Sequence, residues 1–354
     1  MQKKKVLRKY KPIPLTPERI NYVLIQLFVG TLILVITQAL YFNHVYFAGF
    51  ISPVAAIWMR SIFWFVMFIV WVDPLIKLFF VKKLPITNFT LIFVYFVQFF
   101  INLRSYITGE ADKFNWRSDS STKTAFLAIL VKFFYFPIML NTIANNSSFV
   151  IGQISGLQQG IILANFDSIY GVLVSTIFLV DTSIFAFGYT FEAVWLRNKI
   201  RSVEPTLLGW VVALATYPPF NGLTSQFLPM YANGSTAVAQ NELGLRIAQI
   251  LILLCNLIFV SASIALFTKG SNLTNRGIVA RGPYRFVRHP AYVVKLIGFF
   301  LEGVLYASSV SYFFGWAGFA SIYYMRAWTE ERHLSRDPDY VAYKKKVKWR
   351  FVPG

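Results

Sequence analysis

The sequence has almost no cysteine, since Cys255 is the only one among 354 residues. A single thiol excludes a disulfide within the chain and a metal site built from cysteines. Because Cys255 lies in the apolar run "LILLCNLIF", we interpret it as a small residue buried in a hydrophobic segment. We predict no metal site.

Charged residues are also scarce, at 14% against 56% hydrophobic and 18% aromatic residues, with a mean hydropathy of +0.55. An ordinary soluble domain carries about 25% charged residues. The composition therefore predicts an integral membrane protein. Its length allows several spans of about 20 residues each, but leaves no room for a large soluble domain beside them.

Acidic residues are few, with 15 Asp and Glu against 34 Lys and Arg and a net charge of +19. The cations cluster at the ends of apolar runs, where membrane topology and anionic headgroups account for them. We therefore expect membrane lipids as partners and no nucleic acid, because the basic loops are short and adjoin spans.

The positions of the basic segments predict the orientation of the chain. The N-terminal "MQKKKVLRKYK", the loop 269–288 and the tail "KKKVKWR" at 344–350 are all expected on the cytoplasmic side. Both termini are then cytoplasmic, and we expect a prokaryotic cytoplasmic membrane. No cleavage pattern follows the first apolar run, which we interpret as a retained span.

Nine apolar runs have about the length of a span, and an even number is needed if both termini share a side. The runs are 21–42, 51–72, 88–103, 123–143, 169–195, 206–228, 244–267, 291–307 and 309–327. The stretch 149–166 adds a tenth, either as a crossing buried among other helices or as a re-entrant segment. The sequence predicts an all-α polytopic bundle of about ten spans, with eight as the alternative.

Several ionisable residues fall inside apolar runs, where such groups usually face protein or a wet cavity. They are Arg60, Lys132, Asp181, Glu192, Arg246 and Glu302. Arg60 and Lys132 have long stems that can reach the interface. Asp181 and Glu192 cannot, so we expect them to line a polar substrate cavity, with an interhelical polar contact as the alternative.

The composition changes near Lys269, from long apolar helices to a loop, a helical hairpin and a polar tail. We predict a boundary at this point. Residues 1–268 supply membrane helices that can wall a substrate cavity, and residues 269–354 form a cofactor-binding module.

The loop "GPYRFVRHPAY" opens that module. Its glycine and proline fix a turn, and Pro290 suits a first helical turn, where its missing N–H has no partner to lose. The loop thus brings Arg288, His289 and Tyr292 to a helix start. Helix N-termini attract anions and arginine clamps carboxylates and phosphates, so we expect an anionic ligand group there.

The last apolar run ends in "YYMRAWTEERHL". Arg326 and Glu330 share a helix face, while Glu331 points elsewhere. In isolation the two acids would mark a solvated helix end. Together with the arginine loop they suit S-adenosylmethionine: arginine and histidine for its carboxylate, acids for a ribose diol or amino group, and tyrosine faces for its cation.

Three motifs in order carry a family resemblance: "RGPYRFVRHPAY", "EERHL" and "YVAYKKKVKWRFVP". They resemble the C-terminal half of the isoprenylcysteine carboxyl methyltransferase and phospholipid methyltransferase superfamily of integral membrane enzymes, over residues 271–353. The resemblance implies S-adenosylmethionine as cofactor. It also implies a set of cofactor-binding residues, namely Arg288, His289, Pro290, Tyr292, Glu330, Glu331 and Tyr343.

One departure from the family pattern concerns the helix after the loop, where the family often has a small residue two places after the tyrosine. Here Val294 and then Lys295 follow. Lys295 lies one turn into a membrane helix, close to His289, where it can replace a cofactor contact or meet an acidic group of the substrate.

The reaction implied by this resemblance is methyl transfer to a lipophilic carboxylate, thiol or amine. It needs alignment, a dry pocket and, for a thiol or amine, a base. We assign Arg326 to orient the substrate and name Glu302, Asp181 and His289 as candidate bases. The acceptor and the oligomeric state stay open.

Two other functions remain. The first is an NADPH-dependent membrane sterol or enone reductase, a family with a similar loop, in which Arg281, Arg285 and Arg288 would meet the 2′-phosphate. "EERHL" favours the methyltransferase. The second is a non-enzymatic membrane protein that grips anionic lipid, which explains the charge but not the three ordered motifs.

Overall fold

A computed structural model of the protein describes residues 14–115, 117–162, 165–193, 195–228, 242–306 and 310–352. Within these ranges lie twelve α-helices: α1 (Pro17–Asn43), α2 (Val45–Ala48), α3 (Pro53–Phe80), α4 (Asn88–Ile107), α5 (Ser120–Gln158), α6 (Phe166–Thr190), α7 (Leu207–Leu214), α8 (Phe220–Phe227), α9 (Glu242–Leu266), α10 (Pro290–Tyr306), α11 (Ser311–Leu334) and α12 (Pro338–Lys346). Two short strands, β1 (Ser202–Val203) and β2 (Thr274–Asn275), pair antiparallel. The predicted all-α class is confirmed.

Six of the described helices are long and apolar enough to cross a membrane. They are α1, α3, α4, α5, α6 and α9, the last extended by a 3-10 turn to Lys269. The protein is therefore an integral membrane protein with a polytopic helical bundle, as predicted. Within the described residues the number of such helices is below the ten spans expected. The predicted runs 291–307 and 309–327 correspond to α10 and α11, which are not among the six. The other two differences lie at 149–166 and 206–228.

The stretch 149–166 is not a separate helix, because residues 149–158 belong to α5 and Phe166 begins α6. The polar residues at 145–148 lie inside α5, where Asn146 Nδ2 donates to the Thr142 carbonyl 2.8 Å away. The helix ends at Gln158, and Gly160 just beyond it has a φ of +68°, the left-handed conformation that closes many helices. The 39 residues of α5 extend about 58 Å.

The run 206–228 forms two short helices where one span was expected. Thr206 caps α7 by accepting from the Gly209 amide at 3.2 Å. Pro218 and Pro219 then separate α7 from α8, because proline lacks an amide proton and disfavours helix in the residue before it. A helix of eight residues covers about 12 Å, far less than a hydrocarbon core of about 30 Å.

The chain divides into two compact units. The first consists of residues 1–42 and 60–126, of which the described part holds α1, most of α3, and α4. Buried Arg19 donates to the carbonyls of Lys77, Val81 and Lys82 at 2.8–3.1 Å, and so binds backbone carbonyls where α3 ends. Arg60 rests 4.8 Å from the ring centre of Phe42.

The second unit consists of residues 43–59 and 127–354. In it α9 packs against α6 and α10, while α11 packs against α7 and α10. Pairing of β1 with β2 fixes residues 202–203 beside 274–275. Gly188 of α6 lies so close to the carbonyl oxygen of Gly270 that a Cβ at residue 188 would overlap it. These helices and the segment 271–274 surround a polar cavity.

Candidate active site

The loop before α10 is held by the C-terminal segment of the chain. The backbone amides of Arg288 and His289 donate to the carbonyls of Trp349 and Arg350, each at 3.0 Å. Pro290 then begins α10, where a residue without an amide proton leaves no helical hydrogen bond unmade. The residues predicted to form a helix start do so.

Arg288 and Glu331 form a buried two-pronged ion pair. Arg288 Nε donates to Glu331 Oε1 at 2.8 Å and Nη2 to Oε2 at 3.3 Å. Arg288 Nη1 also donates to the carbonyls of Val347 and Lys348, at 2.8 and 2.6 Å. Both side chains of the pair are almost fully buried. Arg288 thereby connects α11 to the C-terminal segment.

Glu331 has three further partners, the most distant of which is Lys344, with Nζ 3.7 Å from Oε2. His289 Nε2 lies 3.1 Å from Oε1, and Arg350 Nη2 donates to Oε2 at 3.1 Å. Burial alone would raise the pKa of Glu331, but the hydrogen bonds from His289, Arg288 and Arg350 outweigh it and hold the pKa well below its usual range. Glu331 is therefore an ionised anchor for the loop.

Glu330 has a different environment, although it is the adjacent residue. Its side chain is 42% exposed and accepts a hydrogen bond from the Tyr292 hydroxyl at 2.9 Å. The ring of Tyr292 stacks on His289 with 5.2 Å between centres. Glu330, Tyr292 and His289 all line the cavity, so this acid is open to a ligand.

The structure brings most of the predicted site residues to one cavity. Among the residues named from the sequence, those in its wall are Asp181, Arg288, His289, Tyr292, Lys295, Arg326 and Glu330. The prediction that Asp181 lines a polar cavity is confirmed. Four other predicted residues, all described, are not part of the wall: Pro290, Glu302, Glu331 and Tyr343.

Each of these four residues has a definable place. Glu331 and Pro290 fix the loop as described. Tyr343 of α12 donates from its hydroxyl to the carbonyl of Tyr284 at 2.7 Å and so holds the turn before Arg288. Glu302 lies ten residues beyond Tyr292 on α10, about 15 Å along the helix axis.

Arg326 lies in the cavity between two aromatic rings. Its guanidinium carbon is 5.3 Å from the ring centres of both Tyr217 and Tyr292. Nη1 donates to Thr216 Oγ1 at 2.7 Å and Nη2 to Asn272 Oδ1 at 2.5 Å. Of five N–H groups, these bonds use two, whereas Arg288 uses four of its own. Arg326 is thus the arginine with more capacity for a ligand carboxylate.

The cavity wall also contains polar residues that the sequence did not single out. Glu204, Ser271 and Thr274 line it, and within the described residues Glu204 Oε2, Ser271 Oγ and Thr274 Oγ1 are buried without a hydrogen-bond partner. Buried polar atoms normally have partners, so these atoms suit a polar ligand. No motif marks them, because β-strand pairing and the α7 cap bring them to the cavity.

One wall of the cavity combines apolar residues with an acid and a base. Buried Asp181 accepts a hydrogen bond from Ser263 Oγ, and Lys295 Nζ lies 4.3 Å from the ring centre of Phe259. Leu266 and Phe185 also line the cavity. This wall suits an apolar molecule with one polar group.

Two other ionisable residues from the apolar runs have partners in ion pairs. Glu192 lies 3.1 Å from Lys132 Nζ and accepts from the Ile200 amide at 2.9 Å. It does not line the cavity, so the alternative of a polar contact between chain segments describes it. Arg246 pairs with Asp167 through its two terminal guanidinium nitrogens, Nη1 and Nη2.

Residues 243–337 match the family model described as phospholipid methyltransferase. This region belongs to that family of integral membrane methyltransferases, which also includes the isoprenylcysteine carboxyl methyltransferases, so the resemblance is confirmed. No curated protein and no solved structure matches the chain.

The family match covers α9, the loop, α10, α11 and both glutamates. It begins upstream of residue 269, within α9. The boundary between a membrane part at 1–268 and a cofactor module at 269–354 stays a prediction.

Proposed function

We propose that the protein transfers the methyl group of S-adenosylmethionine to a lipophilic acceptor that enters the cavity from the bilayer. The observation that best supports this proposal is that Glu330, Tyr292 and Arg326 lie in one cavity beside the start of α10. When bound, S-adenosylmethionine supplies an electrophilic methyl group on a sulfonium sulfur. The chain itself supplies alignment, charge and exclusion of water.

The cavity residues fit this cofactor in chemistry and in number. Arg326 has N–H groups left for a carboxylate, and Glu330 can accept from a ribose diol or an amino group. The ring of Tyr217, which lines the cavity, offers a π face to a cation. The unpartnered atoms of Ser271 and Thr274 suit the remaining polar groups.

We further propose a division of labour among the residues that the family resemblance implies. Glu330, Tyr292 and His289 contact the cofactor directly, because they line the cavity. Glu331, Pro290 and Tyr343 act as positioning residues, since each fixes the loop. Arg288 lines the cavity, but its main bonds go to Glu331 and to the backbone of residues 347 and 348.

The acceptor lies, in this proposal, along the wall formed by Phe259, Leu266, Asp181 and Lys295. Asp181 and Lys295 would orient an acceptor oxygen, sulfur or nitrogen for attack, and a bound cofactor would supply the electrophilic methyl carbon and keep the electron pair of the broken bond on its sulfur. A thiol or amine also releases a proton, and Asp181 is the carboxylate in the wall that can accept it. Glu302 was named as a base from the sequence, but it lies outside the wall.

The reductase alternative has less support from the geometry. Two of the arginines expected at a 2′-phosphate have other partners: Arg281 Nε donates to the Ala265 carbonyl at 3.0 Å, and Arg285 stacks at 4.4 Å on Phe286. Neither lines the cavity. The three arginines therefore do not form one phosphate clamp.

The deciding experiment is calorimetric binding of S-adenosylhomocysteine and, separately, of NADPH to the detergent-purified protein. We expect saturable binding of the nucleoside, weakened at least tenfold in Glu330→Gln and unchanged in Lys113→Gln, an exposed residue of the first unit. Binding of NADPH alone would replace this proposal with the reductase. Binding of neither ligand would favour the remaining alternative, a non-enzymatic membrane protein that binds anionic lipid.

The proposal also assigns the cofactor and the acceptor to different routes of entry. If the basic segments are cytoplasmic, as the sequence predicts, the cofactor enters from the cytoplasm and the acceptor from the membrane.

A further inference from the structure

A second pocket lies on the surface of the same unit and shares no residue with the cavity. Five cations line it: Arg197, Lys199, Arg201, Lys269 and Arg276. The other residues of its wall are Ile200, Ile278 and Asp339. This set is termed the basic pocket. The wall thus contains five positive side chains and one carboxylate, and two further acids lie near these cations: Asp337 beside Arg201 and Glu192 near Arg276.

Two of these cations converge on one point of the backbone. Gly277 has a φ of +93°, and a Cβ placed on it would lie 3.1 Å from Arg201 Nη2 and 3.1 Å from Lys269 Nζ. The two charged groups therefore approach the same side of residue 277. Like charges this close repel each other unless an anion lies between or beside them.

The protein's own acids neutralise only part of the charge. Arg201 Nη1 pairs with Asp337 and Asp339 at 3.0 and 2.9 Å, which leaves Nη2 on the side of Gly277. Arg197, Lys199 and Lys269 have no carboxylate within ion-pair distance in the part of the chain that the structure describes.

Arg276 adds a buried and under-used donor. It is only 3% exposed and donates from Nη1 to the Asn198 carbonyl at 2.8 Å. Its Nε and Nη2 have no hydrogen-bond partner among the described residues. A buried guanidinium with unmet donors is costly, and a ligand with several acceptor oxygens would satisfy it.

We propose that the basic pocket binds a phosphate group. A phosphate offers several acceptor oxygens and more than one negative charge, which suits arginine forks and lysine point charges together. The phosphate belongs either to the headgroup of an anionic lipid or to a soluble phosphorylated molecule. This site is additional to methyl transfer and does not depend on it.

The test uses the full-length protein, purified in detergent and stripped of lipid. Calorimetric titrations compare three probes: dioctanoyl phosphatidic acid, dioctanoyl phosphatidylcholine and inorganic pyrophosphate. The test variant is Arg197→Gln/Lys199→Gln/Lys269→Gln. The matched control removes the same charge from exposed lysines of the first unit, as Lys82→Gln/Lys83→Gln/Lys113→Gln.

We expect the test variant to bind the anionic probe about 100-fold more weakly, because each cation near a membrane phosphate contributes about fivefold. Binding of phosphatidic acid without pyrophosphate identifies a lipid headgroup, and binding of pyrophosphate identifies a soluble phosphate. A thermal midpoint in detergent that is unchanged from the original chain shows that the fold of the variant is intact.

Three outcomes would overturn the proposal. The first is that the original chain binds neither anionic probe. The second is that the test variant binds the anionic probe as tightly as the original chain. The third is that the control variant loses as much affinity as the test variant. The last outcome would mean that overall charge, and not the pocket, attracts the anion.

Discussion

Arg288 and Glu331 are 43 residues apart in sequence, yet they meet through two hydrogen bonds inside the protein, with their side chains 6% and 3% exposed. The Glu331 carboxylate is also hydrogen-bonded to His289 and to Arg350. One carboxylate thus connects the loop before α10, the end of α11 and the C-terminal segment.

The two adjacent glutamates are expected to differ when each is neutralised. Glu331→Gln leaves Arg288 buried without its counter-charge, and removing one partner of a buried pair costs about 3–5 kcal/mol. We expect a large fall in the thermal midpoint in detergent, together with loss of S-adenosylhomocysteine binding. Glu330→Gln, at a 42% exposed side chain, should lose binding with little change in the midpoint. Equal midpoints for both variants would contradict the positioning role of Glu331.

Arg326 is expected to recognise a carboxylate of the cofactor or of the acceptor, and two nucleosides separate these roles. S-adenosylhomocysteine carries a carboxylate, whereas 5′-methylthioadenosine lacks the amino-acid part. If Arg326 binds the cofactor carboxylate, Arg326→Met should weaken the first by about 10- to 100-fold, the value of a charged hydrogen bond, and leave the second unchanged. Equal affinities of the variant and the original chain for both would assign Arg326 to the acceptor.

His333 is expected to make the protein less stable in mild acid. It is buried beside Ser202, with 2.9 Å between Nε2 and Oγ, and burial lowers its pKa below the ordinary value of 6.5. The unfolded chain then binds a proton more readily than the folded one, so stability falls as the pH drops through 6.5 toward the lowered pKa.

The thermal midpoint in detergent, measured from pH 7.5 to 5.5, tests this effect. The decline should be smaller in His333→Gln, which cannot titrate in this range. An identical decline in both proteins would remove His333 as the cause.

Gly188→Ala is expected to destabilise the second unit, because the new methyl group would overlap the carbonyl oxygen of Gly270. Backbone cannot move aside cheaply, and overpacking of this kind costs about 1–3 kcal/mol. Gly298→Ala is the matched control, since its methyl group would meet no heavy atom within 4 Å. A midpoint unchanged in both variants would show that the contact between α6 and Gly270 can relax.

The fold class followed from composition and the lengths of apolar runs, because a bilayer leaves few other structures for such a sequence. The count of spans did not follow, for local reasons. The apolar runs 123–143 and 149–166 are separated by polar residues at 145–148, but α5 continues through those polar residues. The prolines at 218 and 219 divide a run that is apolar enough to span.

The candidate site was predictable where chemistry and motif coincide, at Arg288, His289, Tyr292 and Glu330. The different environments of Glu330 and Glu331 were not predictable. Adjacent side chains of a helix point in different directions, and the tertiary packing decides which of them is buried. Glu204 and Thr274 reach the cavity through strand pairing across 70 residues, for which the sequence holds no local signal.

The hydrogen bonds from the loop to the C-terminal segment set an order for biosynthesis. Lys348, whose carbonyl accepts from Arg288, lies 60 residues after it, and Arg350 follows still later. While the ribosome is adding these residues, the residues of α1 through α11 are already synthesised, and the loop still lacks its hydrogen bonds to the C-terminal segment. The membrane-spanning helices are therefore synthesised before the last residues that hold the loop.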